Sequence, residues 1–342
     1  MNSKIKKALQ IIIFFAIGIG LFWLAYRGQD IDSMIFALKN TKWGWIIAIA
    51  ILCLVGHYCR ALRWELLLEP SGYKPRKINL FISVLVMYLS NMAIPRSGEV
   101  FRCGMITKYE KIPFAESLGT VVTERIVDLV MLFIITIAVL ICQTGIVSEI
   151  IANNPDIATR IETIKDYIPY IIVATILLIV LSIFIIKIMI KRNVFGIGEK
   201  IKGLWNSFKN GMTTVLHLKQ RVLFIFYTIF IYFVYFYTIY LGFQAFEFTE
   251  HLSLMTALTV FVLGTFGVVV PSPGGMGTWH FIVIETLSLF GINKDPDGRA
   301  FALVIHGLQD ITFLFLGVIS LLILPIINKN YQPKEVYIEN KE

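Results

Sequence analysis

The stretch Gly267-Val-Val-Val-Pro271-Ser-Pro273-Gly274-Gly275-Met-Gly277-Thr-Trp-His280 interrupts a hydrophobic run with two prolines and a close set of glycines. Proline cannot donate into a helix ladder, and glycine lets bare backbone approach a ligand. The spacing therefore predicts a helix that ends near Val270 and restarts near Met276. The restarted helix presents free N–H groups. Hydrocarbon tolerates these only inside protein or beside water, and they favour anions such as phosphate. The same stretch also reads as a kinked span whose small residues serve close packing.

A similar break lies upstream, at Asn91-Met-Ala-Ile-Pro95-Arg96-Ser97-Gly98-Glu99, so that Val-Val-Val-Pro271 answers Met-Ala-Ile-Pro95. After each break comes an apolar segment carrying an acid: Val-Val-Thr-Glu124-Arg125-Ile-Val-Asp128 in one, Leu-Val-Ile-His306-Gly-Leu-Gln-Asp310 in the other. Asp128 then matches Asp310 and Glu124 matches His306. The loop near Asn293–Arg299 absorbs the extra length of the second copy. Two weak copies of one unit suggest an internal repeat.

Composition sets the medium. Of 342 residues 57% are hydrophobic, and the mean hydropathy is +0.75. Several nearly uncharged runs reach the roughly 18 residues that a membrane helix needs. No polar stretch is long enough to form a second core, so residues 1–342 are expected to be a single integral membrane domain, all-α and polytopic. The net charge of +8 sits mainly in membrane-flanking loops, which fits orientation and anionic lipid rather than nucleic acid. Cys53, Cys59, Cys103 and Cys142 have no metal-binding spacing.

Segment 8–26 follows Lys4, Lys6 and Lys7 and is expected to be a retained first span. Further spans are expected at about 44–62, 117–143, 169–190, 222–243 and 300–325. Segments 78–109 and 253–290 are expected to form broken, re-entrant hairpins. The count is six full spans plus two hairpins in an inverted repeat, with halves at 44–143 and 222–325. Residues 148–167 carry four acids against two bases and belong outside. Residues 191–221 hold seven Lys or Arg against Glu199 and belong in the cytoplasm. Both termini are then cytoplasmic, which places a multi-pass protein in the plasma (inner) membrane. Within 193–220, apolar residues at steps of three and four alternate with Lys200, Lys202 and Lys209. This reads as an amphipathic helix on an anionic lipid surface, or as one that caps the bundle.

Charged groups near mid-membrane cost about 2.5–3.5 kcal/mol or more unless paired or wet, and they mark pathways. Arg60 and Arg63 lie three apart, on neighbouring parts of one helical face. They can grip a phosphate by bidentate bonds or simply anchor the helix end. Glu124 and Asp128 share a face beside Arg125, and Arg96 or Arg102 is their simplest partner. Arg96 and Arg125 are expected to meet acids across the repeat interface rather than lipid. His306 with Asp310 offers too few ligands for a metal. His280 reads as a hydrogen-bonded group at the restarted helix. There is no phosphate loop, nucleophile elbow or zinc helix, so neither a cofactor nor ATP hydrolysis is expected.

Arg60-x-x-Arg63-Trp64, Pro95-Arg96-x-Gly98-Glu99-x-x-Arg102, Glu124-Arg125-x-x-Asp128 and Pro271-x-Pro273-Gly274-Gly275-x-Gly277 occur in this order. With these motifs the chain resembles the flippase-like family of the lysylphosphatidylglycerol synthase transmembrane domain, over nearly its whole length. The resemblance implies lipid or polyprenyl-phosphate handling. Members that make lysyl-phosphatidylglycerol carry a soluble aminoacyltransferase domain, and no stretch here reads as one, so aminoacyl transfer is not expected. His280 departs from the family pattern, which usually has a glutamate at that position.

The expected function is thus a translocase for an anionic lipid. Arg60, Arg63, Arg96, Arg102 and the Gly274, Gly275 and Gly277 backbone would bind the headgroup phosphate. Glu99, Glu124, Arg125, Asp128, His280, His306 and Asp310 would pair charges or carry protons. The alternatives are a membrane enzyme acting on a lipid-linked phosphate and a scaffold subunit of a lipid or glycan synthesis complex. A synthase partner or a homo-oligomer fits either setting.

Overall fold

The computed structural model describes residues 39–94, 96–144, 198–269, 273–275 and 277–333, together with Asp32, Ile35, Tyr170, Val173, Leu177, Leu181 and Phe184. The spans expected at 8–26 and 169–190 and the loop at 148–167 lie outside these residues or are covered by single positions. The described chain is helical throughout. Its long elements are α1 (Trp43–Leu68), α2 (Lys77–Ala93), α3 (Gly98–Glu110), α4 (Phe114–Cys142), α5 (Gly198–Thr213), α6 (Arg221–Gln244), α7 (Leu254–Val269), α8 (Thr278–Ser288) and α9 (Arg299–Ile327).

Four segments are long and apolar enough to cross a membrane: Trp43–Ser71, Phe114–Cys142, Arg221–Gln244 and Lys294–Ile327. They match four of the expected spans. Their outer faces carry Leu129, Phe133, Ile141, Val222 and Phe315, each more than half exposed. Water would penalise such a surface and lipid does not. Helices α2 and α7 are apolar but shorter. Each stops at a proline-containing break, α2 before Ile94–Ser97 and α7 before the 3₁₀ turn Pro273–Gly275.

Helix α1 packs along α6, α2 packs against α9 and α3, and α7 packs against α8. Small residues permit the closest of these approaches. A Cβ on Gly317 of α9 would stand 2.6 Å from Leu89 Cβ of α2, so the two backbones meet at a distance that no larger residue allows. The apolar core divides along α1. Its first half packs with α6 to α9 around Phe243, Val283 and Phe301. Its second half packs with α2, α3 and the start of α4 around Trp64, Met87 and Ile106.

Helix α5 lies against α4 and leaves Lys202, Asn206, Lys209 and Asn210 exposed on one face.

Candidate functional site

At the start of the second core, α1, α3 and α4 bring six charged side chains together. Arg60 and Arg63 come from the last turns of α1, Arg102 from α3, and Glu124, Arg125 and Asp128 from one face of α4. Arg102 Nη2 donates to Glu124 Oε2 at 2.9 Å, and Arg63 Nη2 donates to Asp128 Oδ1 at 2.8 Å. Arg63 Nη2 also stands 3.2 Å from Glu124 Oε1. Arg125 reaches Glu124 at 2.7 Å and Asp128 at 3.1 Å. Arg60 is looser, 3.7 Å from Glu124 and 3.6 Å from Asp128.

Burial gives these contacts their weight. Arg63, Arg102 and Glu124 have no exposed surface, whereas the Arg125 side chain is 37% exposed. Neighbours fix the arginines. Arg102 lies 4.2 Å over the Trp64 ring, and Trp64 Nε1 donates to Thr120 Oγ1 at 2.9 Å. The Tyr232 hydroxyl on α6 donates to the Asp128 backbone carbonyl at 2.7 Å.

The charges do not balance. Four guanidiniums face two carboxylates, and five guanidinium nitrogens, Arg60 Nε, Arg63 Nε, Arg102 Nε, Arg102 Nη1 and Arg125 Nε, are buried without a hydrogen-bond partner, against one carboxylate oxygen, Asp128 Oδ2. Buried donors and surplus positive charge are costly unless an anion or water satisfies them. A phosphate supplies both the charge and the acceptors.

Arg96 is not among the six. It is exposed, with a left-handed backbone (φ 65°), and its Nη2 donates to the Val268 carbonyl at 3.3 Å. It thus joins the first break to the second. Of the two acids that the sequence offered to either Arg96 or Arg102, Glu124 takes Arg102 and Asp128 takes Arg63 instead. Arg125 meets the acids of its own helix. Glu99 stands half-buried in the first turn of α3. Side chains and backbone close each break: Gly98 N–H donates to Asn91 Oδ1 at 2.7 Å, and Thr278 Oγ donates to the Gly267 carbonyl at 2.8 Å.

In the second break Gly274, Gly275 and Gly277 adopt φ of 61°, 84° and 84°, values that favour glycine. Helix α8 restarts at Thr278, close to the expected point. Beside the turn, Trp279 stacks on His306 at 4.8 Å and His280 meets His306 edge-on, also at 4.8 Å. His306 Nδ1 lies 3.3 Å from Asp310 Oδ2. No cluster of three metal-capable side chains occurs among the described residues.

Between the two sites lies an aromatic stack that the sequence did not single out. Tyr88 of α2 and Phe313 of α9 are nearly parallel at 4.3 Å. His57 of α1 packs 4.5 Å from Tyr88 and 5.0 Å from Phe313, one helical turn before Arg60. The Tyr88 and Tyr235 hydroxyls are 3.3 Å apart. His57 is 1% exposed and neither of its ring nitrogens has a hydrogen-bond partner. A histidine facing the same helical side as Arg60 was the available signal.

Among curated proteins, a UPF0104 membrane protein of Methanocaldococcus jannaschii is 31% identical over 143 residues, which is 41% of this chain and 42% of that protein. The chain therefore matches less than half the length of that relative. No solved structure matches. The family model described as the lysylphosphatidylglycerol synthase TM region matches residues 11–317, and the chain belongs to that family.

Proposed function

We propose that this protein is a translocase for an anionic phospholipid or a polyprenyl-phosphate-linked lipid. The observation that carries this reading is the buried cluster of four arginines and two carboxylates, with its surplus charge and unpartnered guanidinium N–H groups. The lipid phosphate enters past Arg125, the exposed edge of the cluster, and displaces the loose Arg60 contacts. Arg63 and Arg102 hold Glu124 and Asp128 in place. The acyl or prenyl chains stay in the bilayer.

In this reading the chain is an inverted repeat of six spans and two re-entrant hairpins, and the headgroup passes between the hairpin tips. Support comes from the two proline breaks, each ending a short apolar helix, and from the Arg96–Val268 bond that joins them. The Gly274, Gly275 and Gly277 backbone offers N–H donors on the far side. The Lys/Arg bias supports cytoplasmic termini in the inner membrane, and exposed Lys202 and Lys209 of α5 support contact with anionic lipid.

The two rival readings are an enzyme acting on a lipid-linked phosphate and a scaffold for a synthase. Vesicles reconstituted with the purified protein separate them. Movement of labelled phosphatidylglycerol between leaflets without chemical change supports the translocase. A converted lipid supports the enzyme, and inertness without a co-purifying partner supports the scaffold. Mass spectrometry of retained lipids should find an anionic lipid bound to wild type and depleted by Arg60→Gln.

A further inference from the structure

Asp310 is a buried carboxyl of α9 that forms no ion pair with an arginine among the described residues. It is 3% exposed, and among the described residues the one basic group within 4.0 Å is His306, whose Nδ1 lies 3.3 Å from Asp310 Oδ2. Neither of these two atoms completes a hydrogen bond. Glu124 and Asp128 stand in contrast. Their partners are arginines, which do not deprotonate in proteins. Imidazole, unlike guanidinium, can both accept and release a proton, which makes a His–Asp pair chemically different from an Arg–carboxylate pair.

Among the described residues, two other basic groups lie near the pair: His280 of α8, and Arg96, whose Nη2 donates to the Val268 carbonyl beside the Gly275 turn. From α8 the facing groups are His280, edge-on to the His306 ring, and Trp279, stacked on it. The Pro273–Gly275 turn contributes backbone, with Gly275 placed so that a Cβ would stand 3.7 Å from His306 Nε2. Tyr88 of α2 and His57 of α1 reach α9 at Phe313, less than one turn beyond Asp310. Arg299 starts α9 about two turns before His306, and Lys294, Asp295 and Asp297 lie farther back along the chain. Gly277 is exposed at the turn.

We propose that the His306–Asp310 pair is the proton-binding site of the translocase, loaded from one face of the membrane and discharged to the other. This rests on the translocase reading above. On loading, water at one face gives up a proton that bonds to the pair. On discharge the same proton returns to water at the opposite face, and no other bond is made or broken. One proton carried with one monoanionic lipid leaves the step electrically neutral, so the pH gradient sets the direction in which lipid accumulates.

Two measurements test the pair. Infrared difference spectra of the purified protein between about pH 5 and about pH 8, which bracket the usual histidine range, should contain carboxyl and imidazole changes that Asp310→Asn and His306→Gln each remove. Vesicles containing trace labelled phosphatidylglycerol, under a pH step of about one unit, should reach about tenfold enrichment of label in one leaflet, the ratio set by one proton per lipid. Both variants should leave the label evenly distributed. Movement by wild type to an even distribution overturns the coupling and leaves the translocase reading intact. No movement by wild type removes the translocase reading and the coupling with it, while the spectra still judge the pair. A wild-type spectrum that lacks a buried-carboxyl change overturns the site regardless of how the variants fold.

Discussion

Arg96 Nη2 donates to the backbone carbonyl of Val268 across 3.3 Å, so the side chain after the first proline break holds the end of the helix before the second. The bond is exposed and reaches a carbonyl rather than a carboxylate. Its loss strands no buried charge. An exposed polar contact of this kind contributes about 0–1 kcal/mol. Arg96→Ala should therefore melt close to wild type in detergent and should alter lipid movement more than stability. A large drop in melting temperature would instead place Arg96 in the buried network.

Glu124 is the acid on which four arginines converge, at 2.7 Å to 3.7 Å. Glu124→Gln removes the charge and keeps the shape, which leaves the buried guanidiniums facing Asp128 alone. Breaking a buried pair from one side costs about 3–5 kcal/mol. Adding Arg102→Met removes one stranded cation and should restore part of that loss, with a coupling energy of about 0.5–3 kcal/mol. Thermal melts of the two single variants and the double variant supply the cycle. Simple additivity would mean that the 2.9 Å contact carries no energy.

The two breaks are legible because proline and glycine act on the backbone locally: α2 ends at Ala93 before Pro95, and α7 ends at Val269 before Pro271. Helices α1, α4, α6 and α9 are legible because a run of apolar residues fixes both the element and its medium. That Arg60, Arg63, Glu124 and Asp128 belong together is suggested by their spacing. Which arginine meets which acid is not, since Arg96 and Arg102 sit on either side of the same helix start, and the choice depends on how α3 rolls against α4. The Tyr88–Phe313 stack is invisible for a related reason. Aromatic residues in an apolar helix carry no sign of their partner until α2 and α9 meet at Leu89 and Gly317.

Beyond the membrane helices, Tyr331 donates to Glu110 Oε2 at 2.8 Å and so ties the segment after α9 to the end of α3. Glu110 also accepts from the Arg76 N–H at 3.1 Å and from Asn79 Nδ2. Burial and the bond to Glu110 push the Tyr331 hydroxyl up from 10.0 to about 12. The unfolded tyrosine ionises first as pH rises, so the contribution of this bond is complete below about pH 10 and is lost between about 10 and 12. Tyr331→Phe should lower the melting temperature at neutral pH and flatten that part of the alkaline decline relative to wild type. Parallel curves for the two proteins would show that the bond does not form.

Phe313 is 6% exposed and stacks at 4.3 Å on Tyr88, with His57 against both rings, where α1, α2 and α9 meet between the arginine cluster and the His306–Asp310 pair. On the proposed translocase reading, a headgroup moving between these sites passes this stack. Truncating a buried phenylalanine costs about 3–5 kcal/mol through lost contacts and the cavity left behind. Phe313→Leu keeps most of the volume, should cost less than about 1.5 kcal/mol, and removes the ring that Tyr88 and His57 rest on. It should therefore speed lipid exchange in vesicles while leaving lipid retention unchanged. Tyr88→Phe keeps the stack and deletes the 3.3 Å contact to Tyr235, so it should exchange lipid at the wild-type rate. If Phe313→Leu exchanges no faster than wild type, the barrier to the headgroup lies elsewhere, and the stack serves only to pack α2 against α9.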